Sequence, residues 1–524
     1  MHNSSHATRR FFEPAAVFLI LTLAAYLRLA NLADNPGWYT DEGTHLAIAG
    51  QLLRGRVQYL AVNQSTLLFA RLPLFEVLLA GLLRFGGEGM GTLRAFTGTL
   101  GVASVGLLYL VVRRASRDTA LALLAALVLA IYPQAVLYSR FGFSYNLLTP
   151  LVLLACLGLW EYLGKTQHRW LALAALAVGI GAVSDLLMLA FAAPLLIVVL
   201  WRRWRDALWA TLLIGLPFGV YAALSLAAAP QAFLFDLRFT LLRVNTLSPA
   251  QQLSTLADNY ATLLTQDAWM AAGLVGLFLL RPVRLRRLSL LMSLLPLILI
   301  GRTVALYSLS AYYLIPLLPF VAIGAAALIR YGVPHVWQTI RSGLSSFVAR
   351  WGWGQGQSGG ALALSIGAAV VVGVIAATPF VISTARTVAN VQSGFQTSID
   401  DFLVNPDDAR AAAAFVNAHT RDDELVIASP ALAWLFRANV ADFQMAAAAA
   451  GQSTVHIPDD LPPNRFAFDP RVPQARFVVV DNLWRNWAAV NIPAAAEMLR
   501  QVQAWPLVLK AGEIEVYRNP AFLQ

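Results

Sequence analysis

An adjacent pair of carboxylates, Asp41-Glu42, ends the stretch Gly37-Trp38-Tyr39-Thr40-Asp41-Glu42 and opens a helical pattern through Leu46, Ala49, Leu52 and Leu53 that stops at Gly55. Carboxylates so placed have two uses. They cap a helix, with Thr40 as N-cap and the acids beside the positive end of the helix dipole. Alternatively, one of them faces a cleft and accepts the proton of an attacking hydroxyl. His45 lies four residues after Asp41 on the same face, as an intrahelical contact or as half of a metal pair. Arg28, Arg71, Arg94, Arg140 and Arg302 lie beside apolar segments, and guanidinium neutralises phosphate oxygens in a fork geometry. The bland reading of each is a side chain snorkelling to lipid headgroups.

These residues must be positioned by membrane-spanning helices. The chain is 58% hydrophobic and 13% charged with a mean hydropathy of +0.63, which excludes an ordinary water-soluble protein. Its formal charge of +10 does not point to nucleic acid. Of the 38 basic residues 36 are Arg, and many cluster between apolar runs in the positive-inside pattern. The single Cys156 lies in an apolar run and excludes an intramolecular disulfide. Arg9 and Arg10 precede an apolar stretch without a small-residue cleavage site, which reads as an uncleaved first span.

The apolar runs predict eleven spans, near 12–32, 92–112, 118–137, 146–163, 170–183, 186–201, 207–229, 269–281, 288–303, 312–330 and 361–383. With a cytoplasmic amino terminus, the clusters Arg113/Arg114/Arg117, Lys165/Arg169, Arg202/Arg203/Arg205, Arg281/Arg284/Arg286/Arg287 and Arg330/Arg341/Arg350 all face the cytoplasm. The expectation is a polytopic α-helical protein of the plasma (inner) membrane, with a membrane domain over 1–385 and an extracytoplasmic α/β domain over 386–524. In that second domain Glu424–Ala428 and Phe477–Val480 read as strands. Asp408–Ala418 and Ala494–Val502 read as helices, and Leu507–Tyr517 as a hairpin at Ala511-Gly512. Ala446–Ala450 reads as a low-complexity patch.

The first outer loop, about 33–91, is too long for a connector. It reads as two amphipathic surface helices, one opened by Asp41-Glu42 and one over Leu72–Phe85, the latter interrupted by Glu76 and flanked by Arg71 and Arg84.

Leu27-Arg28-Leu29, then Trp38, Asp41-Glu42, Ala49 and Gly55, then Pro73-Leu74 and Arg94-Ala95, resembles the signature of lipid-dependent membrane glycosyltransferases of the GT-C fold. The resemblance is to the protein O-mannosyltransferase and aminoarabinose-transferase branch. Tyr312-Tyr313-Leu314-Ile315-Pro316-Leu317-Leu318-Pro319 is similar to that family's Tyr-Leu-Leu-Pro-type stretch, so the likeness covers roughly 15–330. It implies an inverting transferase that moves a hexosyl or pentosyl group from a polyprenyl-phosphate carrier to an acceptor hydroxyl on a lipid, glycan or protein. Asp41, with Glu42 beside it, takes the position of the family's catalytic carboxylate. Arg71, Arg94, Arg140 and Arg302 are expected to bind the donor phosphate. Arg28, His45, Asn146, Asp185, Tyr312 and Tyr313 are the remaining candidates for the cavity.

The chain departs from the family in three places. Tyr145-Asn146 stands where relatives have an acidic residue, and Ser184-Asp185 stands where they have Thr-Lys. The basic residue that directly precedes the loop proline in some members is displaced to Arg71, two positions before Pro73. A divalent metal is the one cofactor left open, and nothing in the residues requires it. The alternatives are a polytopic lipid or solute transporter, although no repeat of the transporter kind is present, and an assembly enzyme using a lipid-pyrophosphate donor.

Overall fold

The computed structural model describes residues 4–524 apart from 65–66, 68–70, 244–247, 303–307, 336, 340–341, 343–357, 397–399 and 523–524. Arg341 and Arg350 of the last basic cluster lie outside the described residues. A bundle of apolar helices carries a mixed α/β unit at one end, and each of the eleven expected spans falls on a helix. Six helices among the described residues are long and apolar enough to cross a bilayer alone. The pair Thr119–Ile131 and Pro133–Arg140, bent by 55°, meets the same measure of length and composition when its two helices are taken together. Of the others, His168–Ala182, Leu186–Arg202 and Ala268–Leu277 fall short of the ~20 residues a perpendicular crossing needs. Val283–Gly301 opens with three arginines.

The bend at Pro133 explains one buried charge. Proline has no N–H to give the Leu129 carbonyl four residues back, and an unpaired carbonyl in an apolar bundle is costly. Arg28, fully buried, supplies the missing donors: its Nη2 reaches the Leu129 carbonyl at 2.8 Å and its Nη1 the Ala130 carbonyl at 2.9 Å. Arg140 does the same for the end of the first helix, donating to the carbonyls of Leu27, Asn31 and Asn35. Elsewhere small residues allow backbones to touch. The short helix Ala268–Leu277 crosses Leu318–Ala327 through Gly273, Gly276 and Gly324, where any Cβ would collide with facing backbone.

Both surface helices expected in the first loop are present, as Thr40–Leu53 and Pro73–Gly86. Two more, Pro230–Arg243 and Pro249–Gln266, fill a stretch to which the sequence pattern assigned nothing. Beyond the long helix Ser358–Ser393, five strands lie in the order Asn439–Ala441, Leu425–Ile427, Ala475–Val480, Ile514–Arg518 and Leu507–Ala511. The first three are parallel and the last two form the expected hairpin. The apolar runs of the three parallel strands are buried on both faces, as such strands require, whereas the edge strand Leu507–Ala511 is partly exposed. The alanine-rich patch is a helix, Phe443–Ala449, N-capped by Asp442.

The α/β unit is clamped at four points, three on the first loop and one on the helix Pro230–Arg243. Trp38–Tyr39 pairs antiparallel with Leu403–Val404. The Ala467 N–H donates to the Ala61 carbonyl at 2.8 Å. Arg465 makes a buried two-bond pair with Asp236 of Pro230–Arg243, at 3.1 and 3.0 Å. Finally, Gly43 lies so close to the Pro430 carbonyl that no side chain fits between them.

Candidate active site

Thr40–Leu53 is capped by Tyr39 rather than Thr40, and Glu42 at the third helical position reaches back to accept the Tyr39 N–H at 2.9 Å. That same carboxylate is fully buried, bonded by Arg94 through Nε at 2.7 Å and Nη2 at 2.6 Å and by the Gly142 N–H at 2.6 Å. The remaining Arg94 donors reach the carbonyls of Leu32, Ala33 and Gly37. Glu42 and Arg94 are therefore a sealed pin that holds the loop to the bundle. Asp41, one residue earlier, is rotated about 100° round the helix and escapes it. It lines a cavity of about 440 Å³.

On the bundle side this cavity is walled by Asp41, Arg71, Tyr145, Asp185, Tyr312 and Tyr313. Arg71 Nη2 lies 2.5 Å from Asp41 Oδ1, with both side chains part-exposed to the cavity. Burial alone would lower the Arg71 guanidinium, but the facing Asp41 carboxylate lifts it well above its ordinary value, so it stays charged. Tyr145 stacks on Tyr312 at 5.3 Å, and Tyr312 touches Tyr313 at 4.5 Å. Asp185 caps the short turn Leu186–Met188 through the Leu187 N–H at 2.9 Å, and burial pushes its carboxyl up to about 6.

The opposite wall comes from the α/β unit: Pro430, Asp442, Gln444, His456, Leu483 and Trp487. Sequence reasoning missed all of these. One signal was available, because each of the three parallel strands is followed within two residues by a polar residue, Ser429, Asp442 or Asp481. Tyr39, Tyr59 and Phe402 close the cavity between the walls, with Tyr39 stacked on Phe402 at 5.8 Å.

Of the residues expected at the site, the structure brings together Asp41, Arg71, Asp185, Tyr312 and Tyr313 and leaves the others out. Glu42, Arg94, Arg140 and Arg28 are consumed as described. Arg302 is exposed and donates to Gln252 at 3.3 Å, away from the cavity lining. His45 is buried, with Nδ1 2.8 Å from Glu76 and its ring edge-on to Phe75. Helical periodicity put it on the face of Asp41, yet that face turns into the loop core within one turn. Asn146 donates to the carbonyls of Tyr138, Phe141 and Phe143 and ties the turn before Tyr145–Lys165. No three His, Cys, Asp or Glu side chains among the described residues converge as metal ligands.

Comparison with known proteins agrees with this architecture. The family model described as dolichyl-phosphate-mannose-protein mannosyltransferase matches residues 71–233. Nothing matches among curated proteins. ArnT from Cupriavidus metallidurans bound to undecaprenyl phosphate superposes with a TM-score of 0.67 at 14% identity, covering 97% of this chain and 98% of that one. The apo state of ArnT gives 0.62 at 13% identity, covering 98% of each chain. The protein O-mannosyltransferase Pmt1-Pmt2 complex of S. cerevisiae bound to the sugar donor reaches only 0.35, at 22% identity over 40% of this chain and 33% of that one. The chain is thus a multi-pass membrane protein with the GT-C fold of lipid-dependent membrane glycosyltransferases, similar over residues 71–233 to the dolichyl-phosphate-mannose-protein mannosyltransferase family.

Proposed function

We propose that the protein transfers a sugar from a polyprenyl-phosphate carrier to an acceptor hydroxyl on the extracytoplasmic face of the plasma membrane. The observation that carries this reading is the Asp41–Arg71 pair, 2.5 Å apart in a cavity at the membrane-domain surface. Glu42, Arg94, Arg140 and Arg28 have their charges or donors engaged by the protein itself, whereas Asp41 and Arg71 form an ion pair that faces the cavity. Arg113/Arg114 and Arg202 close helices whose opposite ends lie at the first loop and beside Asp185 of the cavity, which supports the outward orientation of the cavity.

The acceptor hydroxyl attacks the anomeric carbon and its proton passes to Asp41. The bond from that carbon to the phosphate oxygen breaks, and its electrons stay on the phosphate. Arg71 neutralises the charge that builds there, so the lipid phosphate leaves without an acid. We read the displacement as single, with inversion at the anomeric carbon. Donor binding also primes the base: a phosphate that takes the Arg71 guanidinium competes with Asp41 for it and releases the carboxylate to accept a proton.

The test is binding of undecaprenyl phosphate to the purified chain. Arg71→Ala should weaken it by about 10- to 100-fold, the size of a lost charge-assisted hydrogen bond, and Arg71→Lys should weaken it less. Equal affinity in all three proteins would remove Arg71 from the donor site.

A further inference from the structure

In open α/β sheets ligands bind outside the carboxyl ends of the parallel strands, at the point where successive connections leave in opposite directions. The α/β unit has such a point. From Leu425–Ile427 the chain passes to Asn439–Ala441 on one side, then crosses back to Ala475–Val480 on the other. The crevice lies between Ser429-Pro430 and Asp481, where the Ser429 hydroxyl bonds the Asp481 carboxylate. It opens onto the cavity, since Pro430 and Leu483 line it. The first turn of Thr40–Leu53 is pressed against that point through Gly43 and Pro430, which brings Asp41 beside it.

We propose that the strand ends of the α/β unit form the acceptor subsite, and that the acceptor is a sugar ring presenting its hydroxyl to Asp41. This assignment rests on the transferase reading above. The wall has the parts that hold a sugar. Trp487 is half-buried and lines the cavity, with the His456 ring parallel to it at 6.0 Å and 7°, giving a flat apolar face for C–H groups. Gln444 and Asp442 are buried beside it and line the same cavity, offering amide and carboxyl groups to ring hydroxyls. Both residues are rigid. Asp442 is locked as the helix cap by the Met445 N–H at 2.7 Å, and Gln444 Oε1 accepts the His456 N–H at 3.0 Å. Arg71 stands on the opposite wall, so phosphate and acceptor enter from different sides, as a single displacement requires.

The experiment is saturation-transfer NMR on the full chain in detergent, with a panel of methyl glycosides and, separately, a threonine-containing peptide. At least one glycoside should receive saturation from the wild type. The signal should fall at least five-fold in Trp487→Ala and in Gln444→Ala, and persist in Trp487→Phe, which keeps an aromatic face. Undecaprenyl phosphate binding, measured on the same samples, should be unchanged in all three, which separates this subsite from the donor site and reports folding. No glycoside signal in the wild type would overturn the proposal. So would undiminished signal in both Trp487→Ala and Gln444→Ala, or binding of the peptide in place of the glycosides. Because the donor reading is judged on Arg71 variants, it can fail or stand independently.

Discussion

Charged side chains in this protein sort by whether the backbone has already consumed them. Glu42 and Arg94 neutralise each other at zero exposure, and removing one partner strands the other. Glu42→Gln should therefore cost about 3–5 kcal/mol and abolish accumulation of folded protein in the membrane, measured by monodispersity and melting temperature. Asp442 gives a pH signature. Burial raises its carboxyl from the usual 3.8 to about 6, so the unfolded chain ionises first as pH rises. Stability is then lost between about pH 4 and 6 by up to about 3 kcal/mol, and is full below that window. Asp442→Asn keeps the cap and should lessen the slope of the melting temperature over that range, leaving the share of Asp185, whose carboxyl burial also raises to about 6; an unchanged slope would mean that Asp442 does not titrate there. Asp41 was legible in the sequence because its neighbours form a pattern. The roles of Arg28, Arg94 and Arg140 were not, because carbonyls freed by a distant bend or helix end leave no mark near the arginine that serves them.

The helices of the expected spans were readable from apolar length, and the surface helix Pro73–Gly86 from its flanking charges, whereas the more polar Pro230–Arg243 and Pro249–Gln266 were not. Asn439–Ala441 was not, since three residues carry no periodicity and the alanines after it suggested low complexity. The close approach at Gly43 belongs to this scale. Gly43→Ala improves helix propensity, so it should leave an isolated helix unharmed. In the protein its methyl group meets the Pro430 carbonyl and must push the α/β unit away. We expect faster proteolysis after Ser393 and loss of transfer activity, with the membrane domain still folded. Wild-type protease resistance would contradict this docking.

The cavity at Asp41 exists only because two halves of the chain meet, which is why sequence reading found one wall and missed the other. Motifs are local, whereas Asp442, His456 and Trp487 reach Asp41 through the pairing of Trp38–Tyr39 with Leu403–Val404 and the Arg465–Asp236 bridge. Asp236→Asn leaves Arg465 buried with half its partner and should lower the melting temperature by several degrees. Orientation is a separate question: reporter fusions at Arg203 and Gln524 should report opposite sides of the membrane, and the same side for both would invert one half of the topology. Asp41 faces the junction of those halves. Asn in place of Asp41 keeps shape and hydrogen bonding but accepts no proton. The most direct measurement is turnover of a polyprenyl-phosphate sugar donor by Asp41→Asn, in protein shown to be folded and to bind undecaprenyl phosphate. A fall of about 10²- to 10⁴-fold is predicted; turnover within a few-fold of wild type would return Asp41 to the role of a helix-capping acid.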